Sequence, residues 1–313
     1  MKKRFTLILF VLLAALLLSS CSTSAASGGT SWPGLAADAD NVYIADGTYV
    51  YAATLANGKQ LWKFPEKSSS SFFASPVLTE DGQLLVGSEG NDHALYSIDP
   101  KTGKEKWPGP FIDAKNRWVA SPLVFNNTIY APNADGNLYI LSMDGKLIDA
   151  VDLGGAIPGG PVVGTNGLYV GSFTKKLEVV SNGDHRVLAE APNWIWGAPV
   201  LNGGTLYYAD LDGNVYSFDL AGKKQNWSVK LDGAIVASPL VIGDEIIVAT
   251  EAGTVVSLDK DGKNVWERAV GGKIYSNIVS SGELTLVSPT SVAFQIAALD
   301  KDGKLVWSFT PEK

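Results

Sequence analysis

The sequence is poor in the side chains that most often carry chemistry. Its 313 residues include one cysteine, Cys21, so an intrachain disulfide is impossible. A body without cysteine suits an oxidising compartment, because it has no thiols that could mispair. The two histidines lie far apart with no cysteine near them, which argues against a zinc site. After residue 21 no stretch keeps the apolar spacing of a helix over three turns, so we expect an all-β fold.

Basic residues are in the minority, with 25 lysines and arginines against 32 aspartates and glutamates. Three of the basic residues lie within residues 1–20, so the rest of the chain has 22 basic residues, 32 acidic residues and a net charge of −10. An acidic surface repels phosphate backbones and anionic lipid headgroups. We therefore expect no nucleic-acid partner and no attachment to a membrane through basic residues.

The first twenty residues have the layout of a secretory signal. A basic start at residues 2–4 precedes an apolar run over residues 5–18, which is too short to span a bilayer comfortably. The run ends in LSSC, which resembles the lipobox of bacterial lipoproteins. In those proteins the cysteine is lipidated and becomes the mature N-terminus. The resemblance implies lipidation of Cys21; the alternative is ordinary secretory cleavage near residues 24–27.

Residues 21–31 are expected to form a lipidated, flexible tether, because they are small and polar and include no core-forming side chain. Ten extended residues reach at most about 35 Å. The folded body, residues 32–313, would therefore stay close to the membrane. We predict an exported protein anchored by lipid to the bacterial cell membrane or outer membrane, facing away from the cytoplasm.

An internal repeat organises the rest of the sequence. A turn glycine recurs at intervals of 38–45 residues, at Gly58, Gly103, Gly145, Gly183, Gly222, Gly262 and Gly303. A small residue before proline keeps step with it, at 75–76, 121–122, 160–161, 198–199 and 238–239. In the seventh repeat the proline is replaced by Asn277. Seven units of about 41 residues account for nearly all of the body.

Each repeat divides into four short runs rich in β-branched residues. In residues 237–270 the runs SPLVI, EIIVAT, TVVSL and NVWERAV are separated by Gly- and Asp-containing turns. Four strands in one repeat match a propeller blade. We therefore predict a seven-bladed β-propeller of four-stranded antiparallel blades over residues 32–313. The first and seventh blades should meet by side-chain contacts, with little or no strand exchange.

A tryptophan follows the turn glycine in five repeats and is predicted to lie across the neighbouring blade. A large flat side chain at the blade edge can bury about 150–250 Å² there. These blade-packing residues are Trp62, Trp107, Trp227, Trp266 and Trp307. The third and fourth repeats carry Asp149 and Val187 instead, so this sector should have different contacts.

The pattern Leu-Asp-x-x-Gly-Lys-x-x-Trp, followed by Ser-Pro, resembles the repeat of the PQQ-like β-propeller family over residues 31–310. Within that family the layout is most similar to BamB-type lipoproteins, which are non-enzymatic scaffolds of outer-membrane protein assembly. Other members are quinoprotein dehydrogenases that bind pyrroloquinoline quinone. The resemblance implies for the dehydrogenases a catalytic Asp, a calcium site made by Glu and Asn, and usually eight blades.

A quinone cofactor is not expected, because seven repeats are too few and the Ser-Pro strands carry no carboxylate. No metal is expected either: the DKDG turns at 259–262 and 300–303 place glycine at the wrong position for an EF-hand. The leading interpretation is a non-catalytic binding or scaffold propeller, monomeric on its own, with a protein or peptide partner at the membrane surface. A quinone-dependent oxidoreductase and a carbohydrate-active propeller enzyme are the alternatives.

Aromatic residues shortly before several of the Ser-Pro strands form the candidate binding site. We predict that they line a funnel on one face of the propeller, which accepts a partner segment or a small planar ligand. The alternative is that they only fill space between blades. The candidates are Phe72, Phe73, Trp118, Trp194, Trp196 and Tyr275, with the cations Arg117 and Lys273 near the edge.

Replacing Cys21 by alanine should leave a precursor that is mislocalised or uncleaved at this site. Fractionation of cells and N-terminal sequencing of the product would measure both effects. A variant that still partitions with membranes and has the wild-type N-terminus would contradict lipidation at Cys21.

Overall fold

The computed structural model describes residues 34–309, apart from residues 55, 56, 58, 68, 69, 73, 282 and 295. They lie within one compact unit, Trp32–Lys313. Its consecutive antiparallel sheets form a seven-bladed β-propeller, which confirms the predicted fold class. No helix occurs among these residues. The signal segment, the tether with Cys21, and Phe73 lie outside the described part of the chain.

The strands run in chain order from the inner to the outer edge of each blade. The first blade contains β1 Gly34–Ala37, β2 Asn41–Asp46, β3 Tyr49–Thr54 and β4 Gln60–Phe64; the second contains β5 Val77–Leu78, β6 Leu84–Gly87 and β7 Leu95–Ile98. The third contains β8 Leu123–Phe125, β9 Thr128–Pro132, β10 Asn137–Ser142 and β11 Leu147–Asp152; the fourth contains β12 Val162–Gly164, β13 Gly167–Gly171, β14 Lys176–Ser181 and β15 Asp184–Glu190.

The last three blades have the same layout. The fifth contains β16 Val200–Asn202, β17 Thr205–Ala209, β18 Asn214–Asp219 and β19 Lys224–Lys230; the sixth contains β20 Leu240–Ile242, β21 Glu245–Ala249, β22 Thr254–Leu258 and β23 Asn264–Ala269. The seventh contains β25 Val279–Ser281, β26 Leu284–Val287, β28 Ile296–Leu299 and β29 Leu305–Phe309; a separate ribbon pairs β24 Lys273–Ile274 with β27 Pro289–Thr290.

Proline interrupts the outer edge of the second blade. The sequence EKWPGPF at 105–111 takes the place of a fourth strand, and only two isolated bridges remain, Ile98 with Glu105 and Leu95 with Phe111. Pro108 and Pro110 lack the N–H groups that a continuous ladder requires. The second blade therefore has three regular strands and an irregular outer segment.

The first strands of successive blades lie side by side around the propeller axis. Side chains of the small-residue-before-proline motif join them. The Ser121 hydroxyl donates to the Ser75 carbonyl at 2.9 Å, and the Ala198 amide donates to the Ser238 hydroxyl at 2.9 Å. The Ser238 amide donates to the side-chain oxygen of Asn277 at 3.0 Å. Asn277 thus links the seventh blade to the ring although its repeat lacks the proline.

The space at the inner edge restricts the side chains of residues next to this motif. A Cβ atom added to Gly159 would lie 2.6 Å from the amide nitrogen of Ala198 in the next blade. A Cβ added to Gly34 would lie 2.5 Å from the Ser75 backbone. Real Cβ atoms do not approach backbone so closely, because the overlap is strongly repulsive. Neighbouring blades therefore meet through backbone and small side chains at the axis.

Four of the predicted blade-packing tryptophans lie against the turn glycine of the next blade. A Cβ added to these glycines, which have φ of 71–80°, would lie 2.3–2.8 Å from the indole ring. The pairs are Trp62 with Gly103, Trp107 with Gly145, Trp227 with Gly262, and Trp266 with Gly303. The glycine is thus required twice, by its positive φ and by the ring that covers it.

Most of these indoles are also hydrogen-bonded to the turn they cover. The indole N–H groups of Trp62, Trp107 and Trp227 donate to carbonyls of the next blade at 2.7–2.9 Å. The accepting residues are Pro100, Met143 and Lys260, respectively. Each tryptophan therefore joins two blades by both apolar contact and a polar bond.

The remaining positions of this series differ. The buried indole nitrogen of Trp266 has no hydrogen-bond partner among the described residues. Trp307 in the seventh blade is 42% exposed, and the turn glycine of the first blade, Gly58, lies outside the described residues. In the third blade the Asp149 carboxylate lies against Gly183 in place of an indole.

The fourth blade has a shorter outer hairpin, which corrects the assignment of Val187. Val187 pairs with Glu178 and faces the third blade, because directly opposed residues share one face of a sheet. Arg186 pairs with Val179, which faces the fifth blade. Arg186 therefore holds the register that tryptophan holds elsewhere. The buried Glu178 carboxylate accepts a hydrogen bond from His185 at 2.9 Å.

The first and seventh blades exchange no strand within the described residues. All strands of the first blade come from residues 34–64, and those of the seventh come from residues 279–309. Residues 22–31 are not described, so the prediction that they add no strand to the last blade stays a prediction.

Replacing Trp107 by alanine should lower the free energy of unfolding by about 3–5 kcal/mol, because it removes a buried indole and a bond between blades. The matched change Trp307→Ala should cost less than about 1 kcal/mol, since that side chain is 42% exposed, against 7% for Trp107. Urea denaturation followed by circular dichroism would measure both losses. Equal losses would contradict the difference in burial.

Candidate functional site

One face of the propeller is built from the crossings between blades and the turns between the second and third strands. In five blades, the second residue after the second strand donates its backbone amide to a carbonyl of the crossing that enters the same blade. The bonds are Glu89 to Ser71, Ala134 to Arg117, Phe173 to Ala156, Leu211 to Trp194, and Glu251 to Ala234, at 2.7–3.2 Å. We call this ring of crossings and turns the rim.

Alternation along each crossing decides which residues reach the rim. The accepting residue is always the fifth before the proline, and the residue after it points between the blades. These fourth residues before proline are Phe72, Trp118, Ile157, Ile195 and Ile235, and all are buried. Aromatic and aliphatic side chains thus serve the same purpose at this position, which is to fill the space between blades.

Phe72 and Trp118 are therefore corrected from candidate binding residues to packing residues. Phe72 lies between Phe64 and Tyr96, with ring centroids 6.2 and 5.9 Å away. Trp118 is 1% exposed, and its indole N–H donates to the His93 carbonyl at 2.9 Å. In extended backbone, consecutive side chains point to opposite sides, so two neighbouring residues cannot both face the rim. The predicted single funnel lined by all the aromatics is not formed.

An exposed aromatic cluster remains in the sector of the fourth and fifth blades. The rings of Trp194 and Phe173 are stacked, with centroids 4.3 Å apart and an interplanar angle of 11°. The Trp196 ring lies 5.2 Å from Phe173 at 49°. Trp194 is 42% exposed, while the other two side chains are half-buried. We call these three residues the aromatic cluster.

The backbone beneath the aromatic cluster is fixed on both sides. The Trp194 amide donates to the Asn193 side-chain oxygen at 2.8 Å, and the Trp194 carbonyl accepts from Leu211 at 3.0 Å. Asn193 in turn donates its amide group to the Asp212 carboxylate at 2.8 Å. A rigid aromatic surface loses little conformational entropy when it binds a partner.

Charged residues occupy the corresponding places in the second and sixth blades. Burial raises the pKa of Glu89, and the nearby Arg117 guanidinium counteracts part of this rise. The Lys273 ammonium lies 2.7 Å from the Glu251 carboxylate, which also accepts a hydrogen bond from the Tyr275 hydroxyl at 2.8 Å. The bonds from Lys273 and Tyr275 lower the pKa of Glu251. Of the two predicted cations, Lys273 forms an ion pair with Glu251, and Arg117 acts on Glu89 through its charge.

The turns of the rim are held from below by carboxylate–tyrosine hydrogen bonds. Asp92 accepts from Tyr96 and Asp135 accepts from Tyr139, each at 2.7 Å. Burial raises the pKa of Asp92, but its hydroxyl hydrogen bonds, including that from Ser70, outweigh this and leave its pKa below the usual value. These bonds fix the turns that present the rim residues.

Phe173 is a rim residue that the sequence interpretation missed. In five repeats, a turn residue and the fifth residue before the next proline occupy corresponding positions on the rim. These pairs are Glu89 with Arg117, Ala134 with Ala156, Phe173 with Trp194, Leu211 with Ala234, and, displaced by one place in the seventh repeat, Glu251 with Lys273. Comparing these positions across repeats would have shown that charges pair with opposite charges and aromatics with aromatics.

The first strands do not fit a quinone–calcium centre. None of the residues in β1, β5, β8, β12, β16, β20 or β25 is a carboxylate. The described residues contain no group of three or more His, Cys, Asp or Glu placed to hold a metal ion. That the protein works without a cofactor stays a prediction. In the same part of the chain, no helix has the length and apolar character needed to cross a bilayer.

Fold and repeat together define a β-propeller of the PQQ-like class. The family model described as outer membrane protein assembly factor BamB matches residues 19–228 and 178–312. The chain therefore belongs to this family. The crystal structure of BamB from Moraxella catarrhalis superposes with a TM-score of 0.70 at 18% identity, covering 85% of this chain and 80% of that one. At this identity the likeness shows the fold alone.

Two curated relatives match shorter segments. The outer membrane protein assembly factor BamB of Legionella pneumophila (strain Paris) is 28% identical over 123 residues, which is 39% of this chain and 30% of that protein. The serine/threonine-protein kinase AfsK of Streptomyces griseus is 26% identical over 189 residues, 60% of this chain and 19% of the kinase. The matched segments span less than a third of either relative, so neither relative's activity is carried over by the match.

Replacing Arg117 by alanine should raise the pKa of Glu89 further, because the guanidinium no longer favours the ionised carboxylate. The folded-state pKa of Glu89 is already raised, so the ionised form lowers stability above that pKa. The variant should be less stable than the wild type at neutral pH, and the difference should fade as the pH falls and Glu89 becomes protonated.

A ¹³C NMR titration of the glutamate carboxyls would follow this pKa. The control Lys115→Ala removes an exposed cation from the same crossing and should leave Glu89 unchanged. A Glu89 pKa that stays constant or falls in the Arg117 variant would contradict the coupling.

Proposed function

We propose that this protein is a non-catalytic scaffold of the bacterial cell envelope that takes part in the assembly of outer-membrane proteins. It is exported, anchored through a lipid on Cys21, and monomeric on its own. It binds a protein partner through the aromatic cluster on the rim. The assignment to the assembly machinery is supported by the family match and by the names of the related proteins.

The exposed stack of Trp194 on Phe173 is the observation that carries this proposal. Tryptophan is among the residues that most often dominate the energy of protein interfaces. Here the indole is 42% exposed, and its backbone is fixed by hydrogen bonds from both sides. The buried residues next to it, such as Ile195, already fill the space between blades. The stack is therefore not needed to complete the core.

The surroundings of the aromatic cluster favour a protein partner over an anionic one. Asp212 lies beside it, and Lys175 donates to the Pro192 carbonyl at 2.9 Å. With a net charge of −7 for the whole chain, the surface does not attract phosphate-rich ligands. Apolar residues with a polar border are typical of the centre of a protein interface.

Replacing both Trp194 and Trp196 by alanine should reduce capture of the partner at least about tenfold, as expected when hot-spot residues are lost. The melting temperature should change by no more than a few degrees. Proteins captured from detergent-solubilised envelope membranes by the lipidated protein would be quantified by mass spectrometry.

The matched control is Phe125→Ala, which removes a 40% exposed aromatic side chain at the opposite end of a blade. It should leave capture unchanged. If the double variant captures the same proteins in the same amounts as the wild type, the aromatic cluster is not the docking site.

A further inference from the structure

The outer strands of the propeller form a series in which one member differs. An outer strand exposes unpaired backbone N–H and C=O groups, and natural sheets protect such edges with charged residues, proline or irregular geometry. Six outer edges of this propeller carry that protection. The protecting residues are Lys63 in β4, Pro108 and Pro110 in the second blade, Asp149 and Asp152 in β11, Asp184, Arg186 and Glu190 in β15, Lys224 and Lys230 in β19, and Glu267 and Arg268 in β23.

The outer strand of the seventh blade, β29, lacks the charges and prolines, although it shares the register shift against its neighbour that the other regular outer strands have. Its sequence LVWSF contains no charge and no proline. Leu305, Val306 and Trp307 are consecutive and are 43%, 53% and 42% exposed. Leu305 and Trp307 lie in one ladder with β28, and β29 is the last strand of its sheet among the described residues. This edge therefore offers both backbone hydrogen bonds and apolar side chains.

We infer that β29 is a strand-pairing site for an extended segment of a partner protein. The segment adds to the seventh blade as a further strand, held by main-chain hydrogen bonds. Leu305 and Trp307 pair with the adjacent residues Leu299 and Ala298, which face opposite sides of the sheet. The apolar side chains of the segment would therefore lie against Leu305 on one face and Trp307 on the other. A charged residue in the middle of the segment would be excluded.

A second copy of this chain is a poorer occupant of the edge. A strand of five residues is about 17 Å long, and an edge contact of that length covers far less than the roughly 1,200 Å² at which stable interfaces begin. Two copies with a net charge of −7 each also repel one another. An extended segment of another protein need not share this acidic charge, and the rest of that partner can add contact area beyond the strand. The site is distinct from the aromatic cluster and does not depend on it.

The test uses a fluorescein-labelled synthetic peptide of alternating valine and threonine with a lysine at each end. It should bind the full-length protein, as measured by fluorescence anisotropy, and slow amide exchange over Leu305–Phe309. The change Val306→Lys should weaken binding at least about tenfold, because it places a charge in the paired edge. Val265→Lys is the matched control: Val265 precedes Trp266 as Val306 precedes Trp307, it is 50% exposed, and its strand is already charged.

Main-chain pairing is tested with the same peptide N-methylated at alternate valines, which should not bind because it lacks the required N–H groups. The Trp194→Ala variant should bind the unmodified peptide as the wild type does. Equal affinity for the methylated peptide, equal weakening by Val265→Lys, or no binding at all would overturn the inference. So would binding that occurs only after residues 22–31 are deleted, because the chain itself would then cover the edge.

Discussion

The blades of this propeller are wedge-shaped, and the close approach of their narrow ends at the axis determines which side-chain sizes fit along each blade. At the axis, the backbones of neighbouring blades come so close that Gly159 has no room for a Cβ atom. At the outer edge the same blades diverge, and indoles such as Trp62 fill the gap over the next turn glycine. Small residues inside and tryptophans outside are thus two consequences of one angle between blades.

This constraint also separates the residues that stabilise the ring from those that are free to bind. Where the chain crosses between blades, one side chain must fill the wedge, and Trp118 or Ile195 does so. The residue before it faces solvent, as Arg117 and Trp194 do. The aromatic cluster is therefore an addition to an already complete core.

The repeat predicted the fold because each marker has its own physical cause. Glycine is fixed by positive φ, the small residue before proline by its hydrogen bonds to the neighbouring blade, and tryptophan by the outer gap. The site was predicted less well, because Phe72 and Trp194 differ by one place in the alternation, and aromatic character does not reveal direction. Val187 was misplaced because a shorter hairpin shifts its register, and the letters alone do not show that shift.

The paired positions on the rim have a consequence for how the sequence of such a surface can diverge by substitution. In the second, fourth and sixth blades a turn residue interacts with a residue of the following crossing, and the next residue of that crossing is buried and fills the space between blades whatever the pair contains. An acid and a nearby base in the second blade, and a stacked aromatic pair in the fourth, therefore occupy equivalent positions on the rim. Partner recognition can therefore change at one pair of rim positions at a time, while the ring beneath keeps the same shape.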